Sequence, residues 1–317
     1  MFYVQEFVLY LEEQPDHGKD EMSKQALVIG LGPGAAAQGL LKRGVQVDVV
    51  EWDAAVIASA HQHFGFKVAS PHRVFNVDAF QLSKFPRHMP NWIDEVSGEK
   101  SSIQGASYDY ILHDIFSGGS VVAQLYEQVF IEALHDLLKP SGVLVVNFVG
   151  YVQGPNSTGT AILYSRLAEQ FPYIRCFRDE HDSPIANLVF FAGHKPLQFK
   201  PVDWSEHLNS EMREYFFKHF FEWEVNLARD VLTFAVSESF DESQELGEAQ
   251  AQAALGSESS CTVQKQLEQA GISQVDAQRS TIARVAGLDL AGSLSDVVTS
   301  HWALMRSMFP SEFWLYF

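Results

Sequence analysis

Three glycines spaced two apart, directly after an apolar run, constrain this chain more than any other feature. The stretch is ALVIGLGPGAAAQGLLKRG, followed at once by VQVDVVEWD. Residues 26–29 are apolar throughout, as in a strand buried on both faces, and the Ala/Leu-rich stretch after Gly34 reads as a helix. Between them Gly30, Gly32 and Gly34 permit a sharp turn and place no Cβ in the way of a ligand. The N–H groups that open the following helix then face polar ligand atoms. Glu51 closes the next apolar run, seventeen positions past Gly34 (51 less 34), where an acid commonly accepts both hydroxyls of a ribose. Strand, glycine turn, helix, strand, acid is the order of a nucleoside-binding βαβ unit.

The alternation continues downstream. β-rich runs at 73–77, 108–113 and 142–148 are separated by amphipathic stretches, and 54–64 and 124–138 carry apolar residues at helical spacing. This pattern predicts βαβ units feeding a parallel, doubly wound sheet. After a helix around 160–170 come YIRCFRD and NLVFFAG, separated by the polar turn EHDSP, which predict an antiparallel pair closing the sheet. The expected fold is α/β: a Rossmann-like, seven-strand, mostly parallel sheet over residues 25–198, preceded by a short segment 1–24. Residues 199–317 are expected to form a helical extension. It holds an aromatic-rich helical stretch over 206–234 that packs against the sheet domain or a partner subunit, an acidic Ser/Glu/Ala/Gln-rich stretch over 237–261 that reads as a linker or as a helix only in its middle, and an apolar end that docks.

The spacing GxGxG, without the third glycine of GxGxxG, favours a nucleoside such as S-adenosylmethionine over a dinucleotide. Asp78 follows the third strand in RVFNVDAF, where an acid can accept the adenine amine. Asp114 ends the fourth in YDYILHDIFSGG. Glu51, Asp78 and Asp114 thus fall at the carboxyl ends of successive strands, where a doubly wound sheet gathers its ligands. His113 adjoins the same point as a candidate substrate contact, with filling of the core boundary as the safer reading. Tyr151, after the fifth strand, is a candidate substrate contact or a packing residue.

LVIGLGPGAAAQGL, Glu51, VDAF and YDYILHDIFSGGSVVAQLYEQVFIEALHDLLKPSGVLVVNF together resemble the spermine/spermidine synthase superfamily. This branch of the class I S-adenosylmethionine-dependent transferases includes fungal spermidine-synthase-like proteins and the C-terminal domain of methyltransferase-like protein 13. The resemblance spans about residues 25–195. It implies that Gly30, Gly32 and Gly34 wrap the methionine part of the nucleoside, that Glu51 holds the ribose, and that Asp78 with Ala79 contacts adenine. It also implies that Asp114 orients or deprotonates an attacking amine. Two departures matter. Ser117 stands where polyamine synthases carry a second aspartate for the amine chain, and only MFYVQEFVLYLEE remains as a remnant of the family's N-terminal hairpin domain. Both tip the implied activity toward methyl transfer from S-adenosylmethionine to an amine of a protein or small molecule. An aminopropyltransferase using decarboxylated S-adenosylmethionine is the alternative, and a catalytically silent nucleoside-binding scaffold the third reading.

Composition narrows the partners. With 22 Lys plus Arg against 40 Asp plus Glu, the chain of 317 residues carries a formal charge of −18 and no basic stripe, which argues against nucleic acid. No apolar run approaches the roughly 20 residues that span a bilayer. Cys176 and Cys261 lie far apart, and His61 and His63 fall on different faces of a helix, so neither a disulfide framework nor a metal site is expected. The N-terminal stretch carries Glu6, Glu12 and Glu13 and no basic region, unlike a secretory signal. A cytoplasmic protein is the default reading, with the nucleus as alternative, and the abrupt start leaves room for an upstream domain. The aromatic residues of 215–223 offer apolar surface for a homodimer.

Overall fold

The computed structural model describes residues 8–9, 11, 23–67, 73–84, 92–115, 122–178, 185–200, 211–227, 282, 285–291 and 294. In chain order the strands are β1 (Gln25–Ile29), β2 (Gln46–Glu51), β3 (Arg73–Asn76), β4 (Trp92–Ile93), β5 (Lys100–Ser101), β6 (Tyr108–His113), β7 (Leu138–Tyr151), β8 (Tyr173–Arg178) and β9 (Ile185–Gly193). The helices are α1 (Ala35–Lys42), α2 (Ala54–His63), α3 (Gln81–Lys84), α4 (Gln128–Leu137), α5 (Thr158–Gln170) and α6 (Glu211–His219). Seven strands form one sheet in the order β3-β2-β1-β6-β7-β9-β8. Pairing is parallel from β3 through β7 and antiparallel for β7 with β9 and for β9 with β8. The expected sheet and its antiparallel last pair are both present.

Alternation along each strand explains why both faces are covered. Leu27 and Ile29 of β1 join one core cluster with Phe130, Leu134 and Leu137 of α4 and Ile162 and Leu163 of α5. Ala26 and Val28 join the other, with Ala36, Ala37 and Leu40 of α1 and Ala60 of α2. A strand buried on both sides reads as a continuous apolar run, which is how ALVI appears in the sequence.

Two features depart from the sequence reading. The first is β7, which runs over fourteen residues because Tyr108 pairs with Leu138 before a register shift aligns Tyr110 with Val143. The second is a small β4–β5 hairpin that no periodicity announces. Its Asp94, 3% exposed, accepts hydrogen bonds from the Val74 and Val96 N–H groups on Oδ1 and from the Ser97 N–H and hydroxyl on Oδ2. Glu95 N–H donates to the Val74 carbonyl (2.7 Å), so the hairpin attaches along the outer edge of β3.

The aromatic part of the extension docks on the same domain. Phe220 stacks on Phe177 of β8 at 4.0 Å between centroids, and Arg175 lies over Phe177 and Phe199 while pairing with Glu224. Val225 N–H donates to the Cys176 carbonyl (2.9 Å), which extends the sheet one bridge beyond β8. Val285, Leu290 and Leu294 enter the first core cluster. Near the N-terminus, Val8 is fully buried and Leu11 bridges Phe199. The acidic stretch 237–261 lies outside the described residues. Among those described, no helix is long and apolar enough to cross a membrane.

Candidate functional site

Strand order reverses between β1 and β6, which opens a crevice at their carboxyl ends, the usual ligand position in such sheets. Gly30, Gly32 and Gly34 all have positive φ there, and they differ in what surrounds them. A Cβ on Gly30 would collide with the backbone carbonyl of Asp114, and one on Gly34 would meet the Phe66 ring. A Cβ on Gly32 would meet nothing within 4 Å. The first and third glycines therefore serve close packing of the protein, and the second faces open space. Gly34 also begins α1 with no side-chain cap, so the helix presents its first N–H groups to a ligand.

Glu51, 7% exposed, fixes this loop to β2. Its Oε2 accepts from the Leu31 N–H (2.8 Å) and its Oε1 from the Asp53 N–H (3.0 Å). Each carboxylate oxygen has a second lone-pair site, so ribose hydroxyls can still be accepted. The next residue, Trp52, leaves its indole 73% exposed beside the crevice end of β2; the sequence reading assigned it nothing. Asp78 lies just past β3, exposed, its Oδ1 accepting from the Phe80 N–H (2.9 Å) in a turn that opens α3. Ala79 beside it is buried. Asn76 and Val77 both donate to the Glu51 carbonyl, which draws the ends of β2 and β3 together.

On the other side of the switch point stands Asp114. Its N–H donates to the Ile29 carbonyl (2.9 Å), so it extends the β1–β6 ladder by one residue. Its half-buried carboxylate accepts from Asn147 Nδ2 at 2.7 Å, and no described cation pairs with it. Asn147 is a site residue that sequence reasoning missed. The signal was there: it is the one polar residue in GVLVVNFVG. Its own Oδ1 is buried without a partner. Beneath the pair, the buried Tyr126 hydroxyl donates to the Asn147 carbonyl (2.9 Å) and lies 3.4 Å from the Ile115 carbonyl. Burial first, and then the Asp114 charge, push the Tyr126 phenol well above its ordinary range, so it stays a neutral donor.

Of the two roles open to His113, its placement agrees with filling of the core boundary. It is 1% exposed, donates from Nε2 to the Leu125 carbonyl (2.8 Å), and meets Tyr126 and Phe130 edge-on. Burial lowers its pKa to about 4, so the imidazole is neutral near pH 7. Tyr151, half-buried, ends β7 and packs on the first core cluster, with its carbonyl accepting from the Thr160 hydroxyl. Ser117 lies outside the described residues. The structure thus brings Gly30, Gly32, Gly34, Glu51, Asp78, Ala79 and Asp114 to one end of the sheet and turns His113 away. Among the described residues, no group of three or more His, Cys, Asp and Glu is arranged to hold a metal.

A seven-strand sheet in this order, with a glycine turn after β1 and acids at the ends of β2, β3 and β6, defines the class I methyltransferase fold. The chain is similar to spermidine-synthase-like S-adenosylmethionine-dependent transferases, as its motifs led us to expect. No family model matches it. Over 220 residues, 67% of this chain, it is 29% identical to an N-terminal histidine N-methyltransferase of Emericella nidulans, of which it covers 36%. Over 126 residues, 39% of this chain, it is 31% identical to a polyamine aminopropyltransferase of Vibrio vulnificus, of which it covers 37%. The chain therefore spans little more than a third of the length of these curated relatives. Solved structures with a similar course include a probable spermidine synthase from Corynebacterium glutamicum (TM-score 0.49, 17% identity, 66% of this chain and 71% of that one). Another is human methyltransferase-like protein 13 in complex with SAH (TM-score 0.44, 21% identity, 62% of this chain and 83% of that one).

Proposed function

We propose that this chain is a methyltransferase that uses S-adenosylmethionine and acts on an amine, with a protein as the favoured acceptor. The observation that carries the reading is the placement of Asp114. Its backbone closes against Gly30 so tightly that no side chain fits between them, while its half-buried carboxylate, at the crevice end of β6, has an amide and no described cation beside it. The nucleoside loop and a carboxylate suited to an amine therefore share one switch point.

The residues fit the nucleoside. Open space at Gly32 and the uncapped start of α1 suit the methionine part, the remaining lone pairs of Glu51 suit the ribose, and the exposed Asp78 suits the adenine amine. When bound, S-adenosylmethionine supplies a methyl group on a sulfonium that needs no further activation. What the chain must add is alignment, with reacting atoms held at about 3–3.5 Å. Asp114 orients the amine and accepts its proton, and Asn147 fixes the carboxylate that does so. The N-terminal histidine methyltransferase relative favours methyl over aminopropyl transfer, as does the start of α1, which offers partners to the methionine carboxylate.

Calorimetry with S-adenosylmethionine, its decarboxylated form and methylthioadenosine tests the cofactor. The carboxylated form should bind about a hundredfold more tightly than the decarboxylated one, since loss of a charged hydrogen-bonding group from such a site costs a few kcal/mol. Labelled methyl transfer should then reach a peptide with a free N-terminal histidine, and putrescine should be a poor acceptor. Tighter binding of the decarboxylated nucleoside with turnover of putrescine would establish the aminopropyltransferase instead. Binding without either transfer would leave the scaffold reading.

A further inference from the structure

Arg166, on α5, is a charged residue only 4% exposed, and nothing in the site so far uses it. Its guanidinium donates to three backbone carbonyls from two distant stretches. Nη1 bonds the Tyr126 carbonyl (3.0 Å), Nε the Ala286 carbonyl (3.1 Å) and Nη2 the Leu288 carbonyl (3.1 Å). Glu127 lies 3.3 Å from Nη2. A buried guanidinium is tolerated only when its donors are met, and its planar fork of five N–H groups has no equivalent in lysine.

The two stretches it joins are unequal. Tyr126 supports the acceptor side of the crevice: its hydroxyl holds the Asn147 carbonyl, and the Asn147 side chain holds Asp114. Residues 285–290 lie 120 positions or so beyond Arg166 in sequence, and Val285 and Leu290 share a core cluster with Tyr126, Phe130 and Phe148. The route from Ala286 and Leu288 through Arg166, Tyr126 and Asn147 to Asp114 passes through no residue of β1, β2 or β3, which carry the nucleoside side.

We propose that Arg166 is a positioning residue through which the segment 285–290 holds Tyr126, Asn147 and Asp114 in place, so that this segment governs acceptor binding and not nucleoside affinity. The inference rests on the methyltransferase reading for what the site binds, but not for the coupling itself.

The test uses the full chain as wild type, Arg166→Met, Arg166→Lys and Leu290→Ala. Hydrogen–deuterium exchange should rise about tenfold or more in residues 122–127 and 285–290 together in Arg166→Met and in Leu290→Ala, while β1 and β2 keep their protection. Arg166→Lys retains the charge but not the fork and should fall between Arg166→Met and wild type. Affinity for S-adenosylmethionine should stay within about twofold in all three, since its ligands lie on other elements. In transfer to the N-terminal-histidine peptide, Arg166→Lys should raise KM for the peptide. Unchanged exchange at 122–127 in Leu290→Ala would overturn the coupling. So would an even rise across β1, β2 and β6, which would make Arg166 an ordinary core residue. If the wild-type chain transfers no methyl group to the peptide, the functional reading fails, and the exchange pattern still decides the coupling.

Discussion

Gly30 and Gly32 have the same φ sign and opposite consequences. Replacing Gly30 by alanine forces the ends of β1 and β6 apart, and that variant should lose about 2–4 kcal/mol of stability, read as a fall in the denaturation midpoint. Gly32→Ala meets no neighbour, so its cost is the left-handed backbone alone, about 1–2 kcal/mol. Its Cβ projects into the space assigned to the nucleoside, and calorimetry should show that affinity down by tenfold or more while the fold survives. Asp114→Asn should lower kcat about a hundredfold or more and leave the S-adenosylmethionine affinity nearly unchanged. A matching loss of affinity would move Asp114 from the acceptor to the cofactor. At this scale, glycines and acids at strand ends are visible in the sequence because their chemistry is unusual for their place. Asn147 and Tyr126 are harder, since their meeting depends on the register of β7 against β6. His113 follows the safer reading, the core boundary, for a simple reason. It has the same parity as Ile111, which faces the α4 side of the core, and strict alternation along β6 sends its ring there too.

Among elements, the β4–β5 hairpin shows what periodicity does not reach. Two strands of two residues carry no detectable alternation, and beside the backbone bonds one aspartate helps hold them by accepting four hydrogen bonds. Burial works to raise the Asp94 pKa, but the bonds from Ser97, Val74 and Val96 outweigh it and hold the carboxyl below its ordinary value. A depressed folded pKa means that the contribution to stability is present above the unfolded value and lost as pH falls through the folded one. Asp94→Ala should therefore destabilise by about 1–3 kcal/mol at pH 7. In urea titrations the gap to wild type should narrow below about pH 4, the ordinary carboxylate range. A constant gap at both pH values would show that packing, not the charge, secures the hairpin. The aromatic extension was legible as helix and as apolar surface that packs on the sheet domain or a partner subunit, but not as a contact with β8 in particular. Phe220 spends its ring on Phe177, so Phe220→Ala should cost about 3–5 kcal/mol in thermal or chemical unfolding.

For the whole molecule, the alternation of runs was enough to predict a mostly parallel sheet with an antiparallel last pair, because parallel strands buried on both faces are continuous apolar stretches. How the distant C-terminal part returns to the domain was not legible, since a buried arginine joined to backbone carbonyls leaves no pattern in sequence. If the acidic stretch 237–261 is the linker its composition predicts, limited proteolysis should cut there first. The nicked protein should still elute as one species without denaturant and separate into two fragments with it, because residues 285–290 remain fastened to α5 and Tyr126. Two species in native buffer would mean that the peptide link, not the contact, keeps the segment in place. A last consequence follows from the two outer strands. On β3, Asp94 and Glu95 already take up the Val74 N–H and carbonyl, and on β8 Val225 takes up the Cys176 carbonyl. A neighbouring chain seeking to add a strand meets occupied hydrogen-bonding groups at either margin. An added strand would have to displace these bonds, so each margin of the sheet resists lateral growth at those residues.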